Sequence, residues 1–182
     1  QALGFETKRV VGMAGVLDSA RMAFFISEAN GGGIKDVRCM VLGGHGDSMV
    51  PLPQFSTMDG VSVQATLPSE EIDAINHRTQ HGGAEIVNLL KTGSAFYAPS
   101  AAAVAMAKSI LRNERRLLPC AAYLDGQYGL EGIYMGVPCV LGADGVESIV
   151  ELELDAAGRE KLDASAAAIR ADIETLKEKG LL

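Results

Sequence analysis

The sequence predicts an α+β domain in which antiparallel strands pack against long helices. Three observations carry this. The elements run as one helix, a few short strands, two or three helices, a three-strand stretch and a last helix, without the regular alternation of a doubly wound sheet. Asp59-Gly60 and Ala143-Asp144-Gly145 stand between apolar runs as hairpin turns, which join antiparallel neighbours. Between Asp155 and Lys179, the residues Leu162, Ala166, Ile169, Ile173 and Leu176 recur four and three apart, one buried stripe of a long helix. A chain of 182 residues has the size of one domain and no internal repeat, so residues 1–182 are read as a single unit.

Taken in order, Val10 to Gly15 is a strand or tight entry segment, followed by a helix from about Val16 to Ala29 with Leu17, Ala20, Phe24 and Ile26 at helical spacing. Asn30-Gly31-Gly32-Gly33 stops it. A hydrophobic run from near Val37 reads as a buried strand that ends in Gly43-Gly44-His45-Gly46. Phe55 to Met58 and Val61 to Ala65 read as extended pieces either side of Asp59-Gly60. Pro68-Ser69-Glu70-Glu71 opens a long helix with Ser69 as N-cap, and Gly82-Gly83 is expected to kink or split it. Lys91 to Pro99 connects to an alanine-rich helix reaching from Ser100 to Leu111, with Pro99 in its first turn. Leu117 to Leu124, Ile133 to Leu141 and Val146 to Leu152 are the three late strands.

Composition excludes several classes of function. The net charge of −7, with no basic run longer than Arg115-Arg116, argues against nucleic acid as a partner. No segment approaches the roughly 20 apolar residues of a membrane span, and the N-terminus lacks the order of a signal peptide. Cys39, Cys120 and Cys139 are an odd number at wide spacing, which fits free thiols in a reducing compartment, and a cytoplasmic location is expected. The start at Gln1 points to a piece of a longer protein.

The candidate chemistry gathers around His45. Flanking glycines let the backbone turn sharply and let a ligand approach, and an imidazole with a pKa of about 6.5 exchanges protons near neutral pH. From this stretch alone, His45 is either an acid–base group or a histidine at an ordinary tight turn. Asp18 and Arg21, three apart on one helix face, read by spacing as a surface ion pair. His77, His81 and Glu85 recur at four-residue spacing, as metal ligands on a helix would, but the intervening glycine pair favours an exposed polar face, and no metal is expected. Gly44 to Met49 is the nearest approach to a dinucleotide fingerprint. It has Met49 where the third glycine belongs and Pro51 soon after, so no cofactor-binding residues are assigned.

Gly15-Val16-Leu17-Asp18-Ser19-Ala20-Arg21, then Val41-Leu42-Gly43-Gly44-His45-Gly46-Asp47, then Gly93-Ser94-Ala95-Phe96-Tyr97-Ala98-Pro99, together resemble the lactate and malate dehydrogenase superfamily over nearly the whole chain. The match is to its C-terminal, substrate-binding domain, nearest the lactate-dehydrogenase-like malate dehydrogenases. The resemblance implies that His45 accepts a proton when a hydroxy acid is oxidised, that Asp18 fixes the imidazole tautomer, and that Arg21 grips the substrate carboxylate. It implies that Ser94 and Ala95 line the substrate pocket. It also implies NAD as cofactor, held mainly by an N-terminal Rossmann domain absent from this sequence, and a small dicarboxylate (malate or oxaloacetate) as substrate. A homodimer or homotetramer and a place in the tricarboxylic acid cycle follow from the same resemblance. Lactate dehydrogenase, and a self-standing carboxylate-binding or oligomerisation domain without catalysis, are the alternatives. Where the family often continues Phe-Arg after the arginine, this chain has Met22-Ala23, and Asn30 to Gly33 replaces a more ordinary helix exit.

Overall fold

The computed structural model describes residues 4–181. Its main sheet has the order β1 (Gly12–Met13), β7 (Arg116–Asp125), β8 (Glu131–Gly142), β3 (Val41–Gly43), β4 (Met49–Pro51), with β9 (Gly145–Ile149) also paired to β8. Every pairing is antiparallel. A smaller sheet joins β2 (Val37–Arg38), β5 (Thr57–Met58) and β6 (Val61–Ser62). The helices are α1 (Gly15–Asn30), α2 (Val63–Thr66), α3 (Ser69–Leu90), α4 (Tyr97–Leu111) and α5 (Ala156–Glu178). None of them is long and apolar enough to cross a membrane. The α+β class with antiparallel strands and long helices is what the hairpin turns and mixed element order predict.

Two apolar cores form. One lies between β7, β8 and α5, where Leu124, Met135, Val137, Leu141 and Leu162 are fully enclosed. The other lies under α1 and α3, around Met22, Ile26, Val41, Val63, Ile72 and Ile75. Each such side chain contributes about 1.5–3 kcal/mol through burial. Cys120 and Cys139 are buried in the first core and Cys39 is half-buried, all as free thiols. Burial pushes the Cys39 thiol up to about 12, which disfavours its thiolate.

Several local expectations are corrected. The apolar run from Val37 is two strands in different sheets, because Val37 and Arg38 pair with β5 while Val41 to Gly43 pair with β4. Residues 63–66 form the helical turn α2 rather than continuing a strand, with the Ser62 hydroxyl accepting from the Gln64 N–H as its cap. Phe55 ends a 3-10 turn, and only Thr57–Met58 is extended. Pro68, not Ser69, occupies the N-cap of α3, and α4 begins three residues before the expected Ser100.

Gly82-Gly83 neither splits nor ends α3. Gly82 lies on the packed stripe Ile72, Ile75, Thr79, Gly82, so tertiary contact with α1 overrides the poor propensity. On α1, Leu17 and Ile26 are buried as expected, but Ala20 and Phe24 are exposed. The enclosed face instead uses Asp18, Met22 and Phe25. On α5, Leu162 and Ala166 are enclosed, whereas Leu176 is exposed.

Two close contacts bring the first helix to β3. A Cβ on Gly15 would overlap the Val41 carbonyl oxygen and come within 2.9 Å of the Pro119 Cβ, so α1 can start hard against β3 only with glycine there. The Ser19 hydroxyl then accepts from the Val41 N–H at 3.1 Å. The first turn of α1 is thereby fixed beside the strand that leads to His45.

Candidate active site

Asp18 projects from the first turn of α1, where the helix dipole favours negative charge, and its side chain has no exposed surface. Its two oxygens are divided between partners. Arg21 Nη1 donates to Oδ1 at 3.3 Å, and His45 Nδ1 lies 3.2 Å from Oδ2. Residues 27 positions apart thus meet because Ser19 and Gly15 hold α1 against β3, and β3 carries the chain into the His45 turn. Spacing alone made Asp18 and Arg21 a surface pair. The structure instead encloses Asp18 completely and leaves the Arg21 side chain only 10% exposed.

The turn depends on its glycines. Gly43 has φ +85°, and a Cβ there would meet the Ser165 hydroxyl at 2.7 Å and the Ser48 carbonyl oxygen at 2.8 Å. Gly46 has φ +72°. Between them His45 is extended, and its side chain remains 60% exposed although Nδ1 faces a buried carboxylate. The Gly44 N–H donates to Ser165 Oγ on α5 at 2.8 Å, and Ser48 Oγ donates to the His45 carbonyl at 3.3 Å. Sequence reading missed Ser165. Its trace was a hydroxyl on the apolar stripe between Leu162 and Ala166, where a polar group requires a partner.

His45 titrates above its ordinary 6.5. The hydrogen bond to Asp18 is the main cause, opposed by partial burial, helped by the Asp18 charge and opposed again by Arg21. With Nδ1–H donating to Asp18, Nε2 keeps the lone pair and is the nitrogen that takes a proton. The arrangement is a buried carboxylate, a half-exposed base and an arginine fork on one ridge of the fold. It suits proton exchange with a small ligand whose carboxylate is held by Arg21.

Other candidates fall differently. Ser94 is exposed and Ala95 half-buried in the segment before α4, and neither shares a hydrogen bond or ion pair with the three residues above. His77, His81 and Glu85 do not converge on a metal. Both Glu85 oxygens accept from Arg78 at 3.1 and 2.9 Å, and His81 Nδ1 lies 2.8 Å from the His77 carbonyl. Among the described residues no other set of three His, Cys, Asp or Glu residues assembles as ligands. The turn after Gly44 runs through a single 3-10 turn, Gly46–Ser48, into β4. No α-helix begins at this turn. A groove of about 1100 Å³ runs between α1, α3 and α4, lined by Ala20, Arg21, Phe24, Gly82, Ala101 and Leu117 among others.

The profile of a family described as lactate/malate dehydrogenase, alpha/beta C-terminal domain, matches residues 15–180. The sequence is 54% identical over 178 residues to a malate dehydrogenase of Roseiflexus castenholzii, covering 98% of this chain and 58% of that protein. It superposes on a malate dehydrogenase structure from Salinibacter ruber with a TM-score of 0.94 at 46% identity, covering 98% of this chain and 59% of the other. A Cryptosporidium parvum lactate dehydrogenase, solved with lactic acid and β-nicotinamide adenine dinucleotide, is similar with a TM-score of 0.92 at 40% identity, over 96% of this chain and 56% of its own. The chain thus spans a little under three-fifths of the length of the relatives it matches.

Proposed function

Because the chain belongs to the lactate/malate dehydrogenase family through its α/β C-terminal domain, we propose that it is the substrate-binding and catalytic half of an NAD-dependent malate dehydrogenase. The division of one buried carboxylate between His45 and Arg21 supports this most directly. In hydroxy-acid oxidation, His45 Nε2 accepts the hydroxyl proton, and Asp18 holds the imidazole and stabilises its charged form. Arg21 binds the substrate carboxylate through the nitrogens that Asp18 does not engage, which fixes the hydroxyl relative to the base. Ser94 and Ala95 line the far side of the pocket in this reading.

NAD, when bound, supplies the hydride acceptor, and a Rossmann domain outside these 182 residues would hold most of it. No step is assigned to this chain through the nucleotide. A small dicarboxylate is proposed over lactate because the sequence relatives at 54% and 56% identity are malate dehydrogenases. A cytoplasmic homodimer or homotetramer is proposed, and the exposed Phe24 and Leu117 of the groove wall suit an assembly contact.

The test is a steady-state assay of the longer protein that carries this domain, with oxaloacetate or pyruvate as substrate. We expect faster turnover of oxaloacetate, and His45→Asn should lower kcat by about 10²–10⁴. Equal turnover in the His45→Asn enzyme would refute the role of His45, and preference for pyruvate would move the substrate to lactate.

A further inference from the structure

The glycine that was expected to break α3 is instead placed against the arginine of the candidate site. A Cβ built on Gly82 would overlap Arg21 Cδ and lie 3.0 Å from Nε and 3.4 Å from Cγ. The stem of Arg21, not its tip, therefore lies across α3 at this position. We propose that Gly82 is a positioning residue for Arg21: the missing side chain is the seat of the arginine stem, and that seat holds the guanidinium against Asp18. For its bearing on the reaction this rests on Arg21 as the carboxylate anchor, as proposed above.

The helix itself has little freedom to move aside for a larger residue. Arg78 of α3 stacks on the Phe25 ring of α1 at 4.1 Å, and it bridges Glu28 of α1 at 3.0 Å and Glu85 at 2.9 Å. Gln80 Nε2 donates to the Met49 carbonyl at 3.3 Å, which ties α3 to the strand after the His45 turn. Thr79 and Gly82 are buried in the same interface. A methyl group at position 82 is therefore accommodated by turning Arg21 out of its seat, away from the Asp18 oxygen that it holds at 3.3 Å. The neighbouring Gly83 provides a natural control. Its Cβ would meet nothing nearer than Arg21 Nη2 at 3.9 Å, an ordinary contact.

The experiment compares Gly82→Ala, Gly83→Ala and Arg21→Gln by two readouts. One is the His45 titration, followed by proton NMR in the 182-residue chain. Because the Arg21 charge lowers the His45 pKa, displacing it moves the titration upward in Gly82→Ala, towards the Arg21→Gln value, and leaves Gly83→Ala at the parent value. The other is KM for oxaloacetate in the longer enzyme. It should rise about tenfold or more in Gly82→Ala and Arg21→Gln, as expected for a lost charge-assisted contact, and stay within about twofold in Gly83→Ala.

Identical behaviour of Gly82→Ala and Gly83→Ala in both readouts would overturn the proposal, even if Arg21→Gln raises KM. If Arg21→Gln leaves KM unchanged while Gly82→Ala still moves the His45 titration, the seat stands and the anchor reading fails. If Gly82→Ala does not fold, the substitution is repeated in an Arg21→Ala background. There it should give a folded chain as stable as Arg21→Ala with Gly83→Ala, and continued failure to fold would show that the space is not reserved for Arg21.

Discussion

Asp18 is enclosed without any exposed surface, and a buried carboxylate is tolerated only while its partners satisfy it. Its loss should therefore be read first at His45. In Asp18→Asn the carboxylate that chiefly raises the His45 pKa is replaced by a neutral amide, so its NMR titration should move down. The sign for stability follows from linkage. A folded-state pKa above 6.5 means that the protonated imidazole stabilises the fold fully below the unfolded value, and that this contribution disappears as pH rises through the folded pKa. The imidazole is 60% exposed, so solvent screening keeps the effect small. Urea titrations of the chain and of His45→Gln across that window should converge at the alkaline end, and a constant gap would contradict the coupling. At this scale the sequence was only partly legible. The glycine-flanked His45 stood out, and the three-residue spacing paired Asp18 with Arg21. Neither revealed that Asp18 is buried, and only the resemblance implied that it meets His45, because that contact is made by a helix start seated on a strand far along the chain. Ser94 and Ala95 rest on resemblance alone, since among the described residues neither shares a hydrogen bond or ion pair with the other three.

At the level of elements, the hairpin turns and the glycine helix stop were read well, whereas the expected Ser69 cap falls on Pro68 and residues 63–66 turn helical. Asp59 and Gly60 both take positive φ in the β5–β6 hairpin. Gly31 caps α1 in the left-handed region. Asp155 caps α5 by accepting from the Gly158 N–H at 2.7 Å. Asp155→Ala should cost about 1 kcal/mol, seen as a lower urea midpoint at unchanged slope. Elements shaped by distant contacts were misread. The run from Val37 divides because two sheets compete for it, and α3 passes through Gly82-Gly83 because α1 packs there. Gly15→Ala tests such a contact. Its methyl group would strike the Val41 carbonyl, part of a rigid strand, and should cost about 1–3 kcal/mol by the same measurement. A neutral result would mean that α1 can slide on β3.

The described residues bring Asp18, Arg21 and His45 together on a chain that covers 58% of a relative's length, and we assign the dinucleotide to a domain outside it. The 182-residue chain alone should therefore show no malate-dependent reduction of NAD, and measurable activity from pure chain would refute that division of labour. The antiparallel class was legible because turn chemistry is local, whereas the groove between α1, α3 and α4 was not, since Ala20 and Phe24 fit a buried stripe equally well. The bond from Gly44 to Ser165 spans 121 positions, and it has a consequence for biosynthesis. A contact of such long range is expensive to close in loop entropy, and it cannot exist until residue 165 has left the ribosome. Nascent chains can lay down α1, β3 and the β7–β8 hairpin beforehand, yet the imidazole turn stays unlatched until α5 docks. The turn that carries His45 is thus secured late in synthesis, once Ser165 is in place.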